Sequence, residues 1–147
     1  MTPEQTQLIR LTFVQVMNRK HETGRQFYER LFSIAPDTRR MFRSDIDAQS
    51  QKLMDTLALA ISSLRDLPSL VAMLESLAVR HVGYGVQDKH YDDVGAALLW
   101  TFERMLGPAF TPEARDAWAA LYGTVAQVMR NAAKKGAGSK PAAAQSA

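Results

Sequence analysis

The chain has 147 residues, 46% hydrophobic and 22% charged, which suits one globular domain and excludes a disordered or collagen-like chain. There is no cysteine, so a disulfide framework, a cysteine-ligated metal and a thiol nucleophile are excluded, and a reducing cytoplasm is the expected location. The net charge of +3 comes from Lys134, Lys135 and Lys140 near the end; residues 1–133 carry 15 charges of each sign, so no nucleic-acid partner is expected.

Prolines and glycines divide the chain. Thr2-Pro3-Glu4 and Thr111-Pro112-Glu113 each read as an N-cap, a first helical residue and an acid at the positive end of the dipole. Residues 4–19 form the first predicted helix, with Ile9, Phe13, Val16 and Met17 at helical spacing. Residues 22–34 form the second, on Gly24, Tyr28, Leu31 and Phe32. A short turn follows Pro36 and ends near Phe42, and Arg43 to Asp47 reads as a polar loop. Helices follow over 48–65 and 68–81, the latter stopped by Gly83 and Gly85. The last two cover 89–106, ended by Gly107-Pro108, and 112–133. No useful segment alternates with period two, so the expectation is an all-α fold of six to seven helices crossing at angles. Residues 1–133 are the expected domain. Residues 134–147, rich in Lys, Gly and Ala, are expected to be a disordered basic tail. No run of about 18 apolar residues spans a membrane, and the start, Met1 to Gln5, has an acid and no apolar run, so no signal peptide is expected.

Polar residues on apolar stripes mark a candidate site. His81 continues the Leu70, Leu74, Leu77 stripe and points inward, whereas His21 and His90, each beside a lysine, are expected at the surface. His81 has two readings: a core histidine satisfied by a backbone carbonyl, or a metal ligand. Leu77, Ala78, Tyr84 and Gly85 occupy the positions one helical turn away, so a multidentate zinc or di-iron site does not fit. A haem iron needs only one protein imidazole, because the porphyrin brings four nitrogens. Tyr28 and Gln49 also lie on inward stripes, each open to an ordinary reading as a wetted tyrosine or an exposed first-turn glutamine. With His81 they outline a pocket.

The order Phe27-Tyr28-Glu29-Arg30-Leu31-Phe32, Pro36, Met41-Phe42, Gln49, Leu53, His81, Tyr91, Val94-Gly95, Asp116-Ala117-Trp118 and Tyr122-Gly123 resembles bacterial single-domain globins. It is similar to Vitreoscilla-type haemoglobin and to the haem domain of flavohaemoglobins, over about residues 5–131. The resemblance implies a globin fold and haem b as cofactor. It implies His81 as the proximal iron ligand and Tyr28 and Gln49 as distal donors to O2. It further implies Phe42 as the aromatic wedge on the haem and Leu53 as the distal wall. Tyr91 and Val94 would contact the cofactor, and Lys52 a propionate. One departure stands out: the family's glutamate on the last helix falls at Ala133, and no Asp or Glu follows Asp116. A carboxylate on the imidazole N–H makes the ligand more basic, so its loss weakens O–O activation. The resemblance implies reversible binding of O2, with NO and CO as further ligands. A nitric oxide dioxygenase working with a separate reductase is the alternative, since this chain carries no reductase sequence.

Overall fold

The computed structural model describes residues 1–42 and 45–136. Six α-helices run in chain order: α1 Pro3–Met17, α2 Lys20–Ile34, α3 Ile46–Ser62, α4 Leu67–Gly83, α5 Asp88–Leu106 and α6 Pro112–Gly136. Short 3-10 turns, Pro36–Met41 and Gly107–Ala109, join α2 to α3 and α5 to α6. No strand occurs among the described residues, as the periodicity predicts.

Side-chain caps set the boundaries. Thr2 and Gln5 form a reciprocal capping box at α1, with the Gln5 N–H donating to Thr2 Oγ1 at 3.1 Å. The α1–α2 joint falls earlier than the apolar pattern predicts, at Asn18 and Arg19. There the buried Thr23 hydroxyl lies 2.8 Å from the Arg19 carbonyl and 3.2 Å from that of Val16, at the end of α1. α3 also starts earlier than predicted, because Asp45 Oδ1 accepts from the Ala48 N–H at 2.8 Å and draws Ile46 and Asp47 into the helix. α4 runs through Gly83, and Gly85, at φ +88°, turns the chain away as only glycine does without strain. The last helix continues three residues past the predicted boundary, to Gly136; the rest of the predicted tail lies outside the described residues.

Two close approaches shape the interior. α2 crosses α3 at Gly24, where a Cβ would stand 2.4 Å from Ser50 Cβ. Only a glycine lets the helices touch backbone to side chain there, and the contact sets Tyr28, one turn on in α2, close to Gln49 of α3. On α5, Gly95 accepts the ring of Tyr122 from α6, whose Cε2 would lie 2.7 Å from an added Cβ. Trp118, 1% exposed, stands between α1 and α5. Its ring lies 4.4 Å from that of Phe102, and its Nε1 donates to Thr12 Oγ1 at 2.8 Å. α4 packs on α6 but barely touches α3, and this separation opens the interior.

His90 departs from expectation. Its neighbour Lys89 predicts an exposed ring, yet His90 is 2% exposed. The third position of α5 lets the side chain fold back onto the helix start. Nδ1 accepts from the Gln87 N–H at 2.8 Å, so the ring proton sits on Nε2, which donates to Asp37 Oδ2 at 2.9 Å. This bond, with help from Lys89, holds the Asp37 carboxyl below its usual range. His90 thereby pins the 3-10 turn to the start of α5. His90→Ala is expected to cost about 1–3 kcal/mol in urea unfolding through the lost bonds and cap, without removing any group from the interior cavity. His21 is exposed, as predicted, with its ring 3.2 Å from Asp47 Oδ1.

Candidate haem site

A cavity of about 320 Å³ lies between α2 and α3 on one side and α4 and α6 on the other. That is within the range of ~300–1,000 Å³ usual for sites that hold a small molecule. Its walls are mostly apolar, including Phe27, Leu31, Leu57, Ile61, Leu74 and Leu98.

His81 is half-buried on the cavity wall, at the end of the buried Leu70, Leu74, Leu77 stripe. Its Nδ1 lies 2.7 Å from the Leu77 carbonyl oxygen. A carbonyl only accepts, so Nδ1 carries the proton and Nε2 keeps its lone pair. Burial, with a smaller push from the Arg80 charge, lowers the pKa of the ring and favours the neutral imidazole. The two sequence readings of His81 therefore coexist: a backbone carbonyl satisfies one nitrogen and leaves the other able to ligate.

Tyr28 and Gln49 line the same cavity from α2 and α3, at 3% and 6% exposure. The early start of α3 makes Gln49 a fourth helical residue, buried instead of exposed at the rim. Burial pushes the Tyr28 phenol up to about 12, and interaction with the Gln49 side chain pulls it back slightly. Tyr28 is therefore a neutral O–H donor at any physiological pH. Its ring is held by Phe27, Phe42 and Phe32 at 4.9, 5.1 and 5.9 Å between centroids.

Phe42, Lys52, Leu53 and Val94 also line the cavity. Tyr91 does not. Its ring lies beneath the Arg130 guanidinium, 5.4 Å away, in the smaller apolar cluster beside Met129. Tyr122 takes the cavity wall instead, because Gly95 gives its ring room, and its hydroxyl donates to the Tyr91 carbonyl at 2.6 Å. Sequence spacing also misses Arg40, Met73 and Tyr84 on the wall. Tyr84, three residues after His81, is the one of these with a readable signal.

Among the described residues no three His, Cys, Asp or Glu side chains could hold a bare metal ion. A single neutral imidazole in an apolar cavity suits a metal that brings its own equatorial nitrogens. Among the described residues the lining includes the cations Arg40 and Lys52 and no carboxylate, which suits a flat apolar macrocycle with acidic substituents. The donor set fits haem.

Crossed helices enclosing an apolar cavity, with a wall histidine whose second ring nitrogen is unengaged and a tyrosine–glutamine pair, are what a haem-binding globin requires. The chain belongs to the globin family, whose model matches residues 25–129. It is 34% identical over 133 residues to flavohemoproteins of Bordetella pertussis and Bordetella bronchiseptica. The match covers 88% of this chain and 33% of those proteins, so the chain spans about a third of their length. Its structure resembles that of a bacterial globin from Campylobacter jejuni with a TM-score of 0.79 and 26% identity, over 91% of this chain and 97% of that one. Among the described residues no helix is long and apolar enough to cross a membrane.

Proposed function

We propose that this globin binds haem b through His81 and holds O2 tightly, with NO and CO as further ligands. Haem b, held by His81, would supply an iron able to bind a diatomic gas. The observation that carries the reading is the placement of two buried donors, Tyr28 O–H and the Gln49 amide, on one cavity with a ligation-ready His81. O2 attracts more negative charge in such a site than CO does, so a phenol donor favours it. Each hydrogen bond to a charged acceptor contributes roughly 1.5–3 kcal/mol. Phe42, Leu53 and Leu57 contribute apolar wall to the same cavity. With Ala133 at the position of the family's glutamate, the bond that His81 Nδ1 makes is to a neutral carbonyl. That pairing favours reversible binding over O–O chemistry. The domain proposed to do this spans residues 1–133, in a reducing cytoplasm.

A nitric oxide dioxygenase would need a reductase to restore ferrous iron. Measuring nitrate formation with a generic electron donor, beside the O2 dissociation rate, tests the reading. Slow O2 release with slow nitrate formation is expected. Nitrate turnover far faster than O2 release would establish the dioxygenase instead.

A further inference from the structure

The hydroxyl of Tyr84 and the Nε of Arg80 are both buried without a hydrogen-bond partner among the described residues. Arg80 only donates, and a phenol near neutral pH carries its proton, so two donors on residues one helical turn apart lack an acceptor. Buried donors in folded proteins are almost always paired, and such an exception calls for an acceptor that the protein does not supply. The location narrows what that acceptor is. Tyr84 lies on the cavity wall beside Gly83 and Val86, with its ring 5.6 Å from the His81 ring. Its backbone N–H donates to the carbonyls of Arg80 and His81 at 3.2 and 3.0 Å, which fixes where the phenol starts. The Arg80 charge acts on the Tyr84 hydroxyl and makes the spot attractive to an anion. Tyr28 and Gln49, on α2 and α3, belong to the other side of the cavity.

We propose that Tyr84 Oη donates a hydrogen bond to a carboxylate of the cofactor, one of the two propionates of haem, with the Arg80 guanidinium behind it. The inference rests on the haem reading and deepens it. Tyr84 is then a cofactor-retaining residue that prefers a porphyrin with free acid side chains. A purely structural tyrosine would use its ring and have no need of the buried hydroxyl.

The test is haem transfer from the ferric protein to excess apomyoglobin, followed in the Soret band. Tyr84→Phe keeps the ring and removes the donor, and is expected to lose haem about tenfold faster or more. With haem dimethyl ester, whose propionates are blocked, wild type and Tyr84→Phe are expected to lose cofactor at equal rates. An unchanged rate with free-acid haem overturns the inference, and so does the same acceleration with the ester, which would mark a role in shape alone. A wild type that takes up no haem overturns the haem reading itself.

Discussion

His81→Ala is expected to purify without a Soret band, or to lose its haem during gel filtration. His81 is the only histidine on the cavity wall among the described residues, and its Nε2 is the nitrogen left free by the bond to Leu77. Removing the ring takes away the imidazole proposed to hold the iron. It also removes the side-chain bond to the Leu77 carbonyl, which lies inside α4 and keeps its helical backbone partner, so this loss is small. The surrounding Leu74, Leu77 and Leu98 still form an apolar slot, so loosely held haem is possible at high haem concentration but not after dilution. His21→Ala and His90→Ala are the controls. His21 is exposed, and the His90 nitrogens are both engaged, by Gln87 and Asp37, away from the cavity. Both variants are expected to keep full haem content, His90→Ala with lowered stability. Normal haem retention in His81→Ala would remove the axial assignment.

How much of this was legible in the sequence depends on how far each feature depends on periodicity. The helices and their breaks follow from stripes and prolines, and His81 was visible because it continues a leucine stripe. Features that depend on side chains turning back were not visible. His90 is buried because a helix start offers a backbone N–H to its ring, and spacing does not show which way a third-position side chain folds. Gln49 lies on an inward stripe in the sequence but also reads as an exposed first-turn residue; Asp45 decides between the two by extending the helix two residues, and Gln49 is buried. Tyr122 reaches the cavity wall because Gly95 leaves space for its ring, while Tyr91 lies in the smaller apolar cluster. The resemblance to globins supplied the roles, but only coordinates show which side chains share the cavity.

Tyr28→Phe is expected to raise the O2 dissociation rate by about 10–150-fold, the equivalent of losing a bond worth roughly 1.5–3 kcal/mol at 1.4 kcal/mol per tenfold. The substitution isolates the hydroxyl, because the ring contacts to Phe27, Phe32 and Phe42 survive in the variant. Those contacts are also why Tyr28 is expected to outrank Gln49. An aromatic cage holds the phenol in place, so little ordering entropy is lost when it donates, and a phenol is a stronger donor than a primary amide. The Gln49 side chain hydrogen-bonds the same hydroxyl. Part of its effect on the gas is therefore transmitted through Tyr28. Gln49→Leu is expected to speed O2 release in the same direction but by a smaller factor, and the double variant to fall short of the product of the two. CO, which draws less charge, is expected to respond weakly to either change, while autoxidation quickens in Tyr28→Phe. Stopped-flow displacement of O2 by excess CO on the three variants measures all of this. An unchanged rate in Tyr28→Phe, or a larger change in Gln49→Leu, would reverse the ranking and make the α3 amide the principal donor.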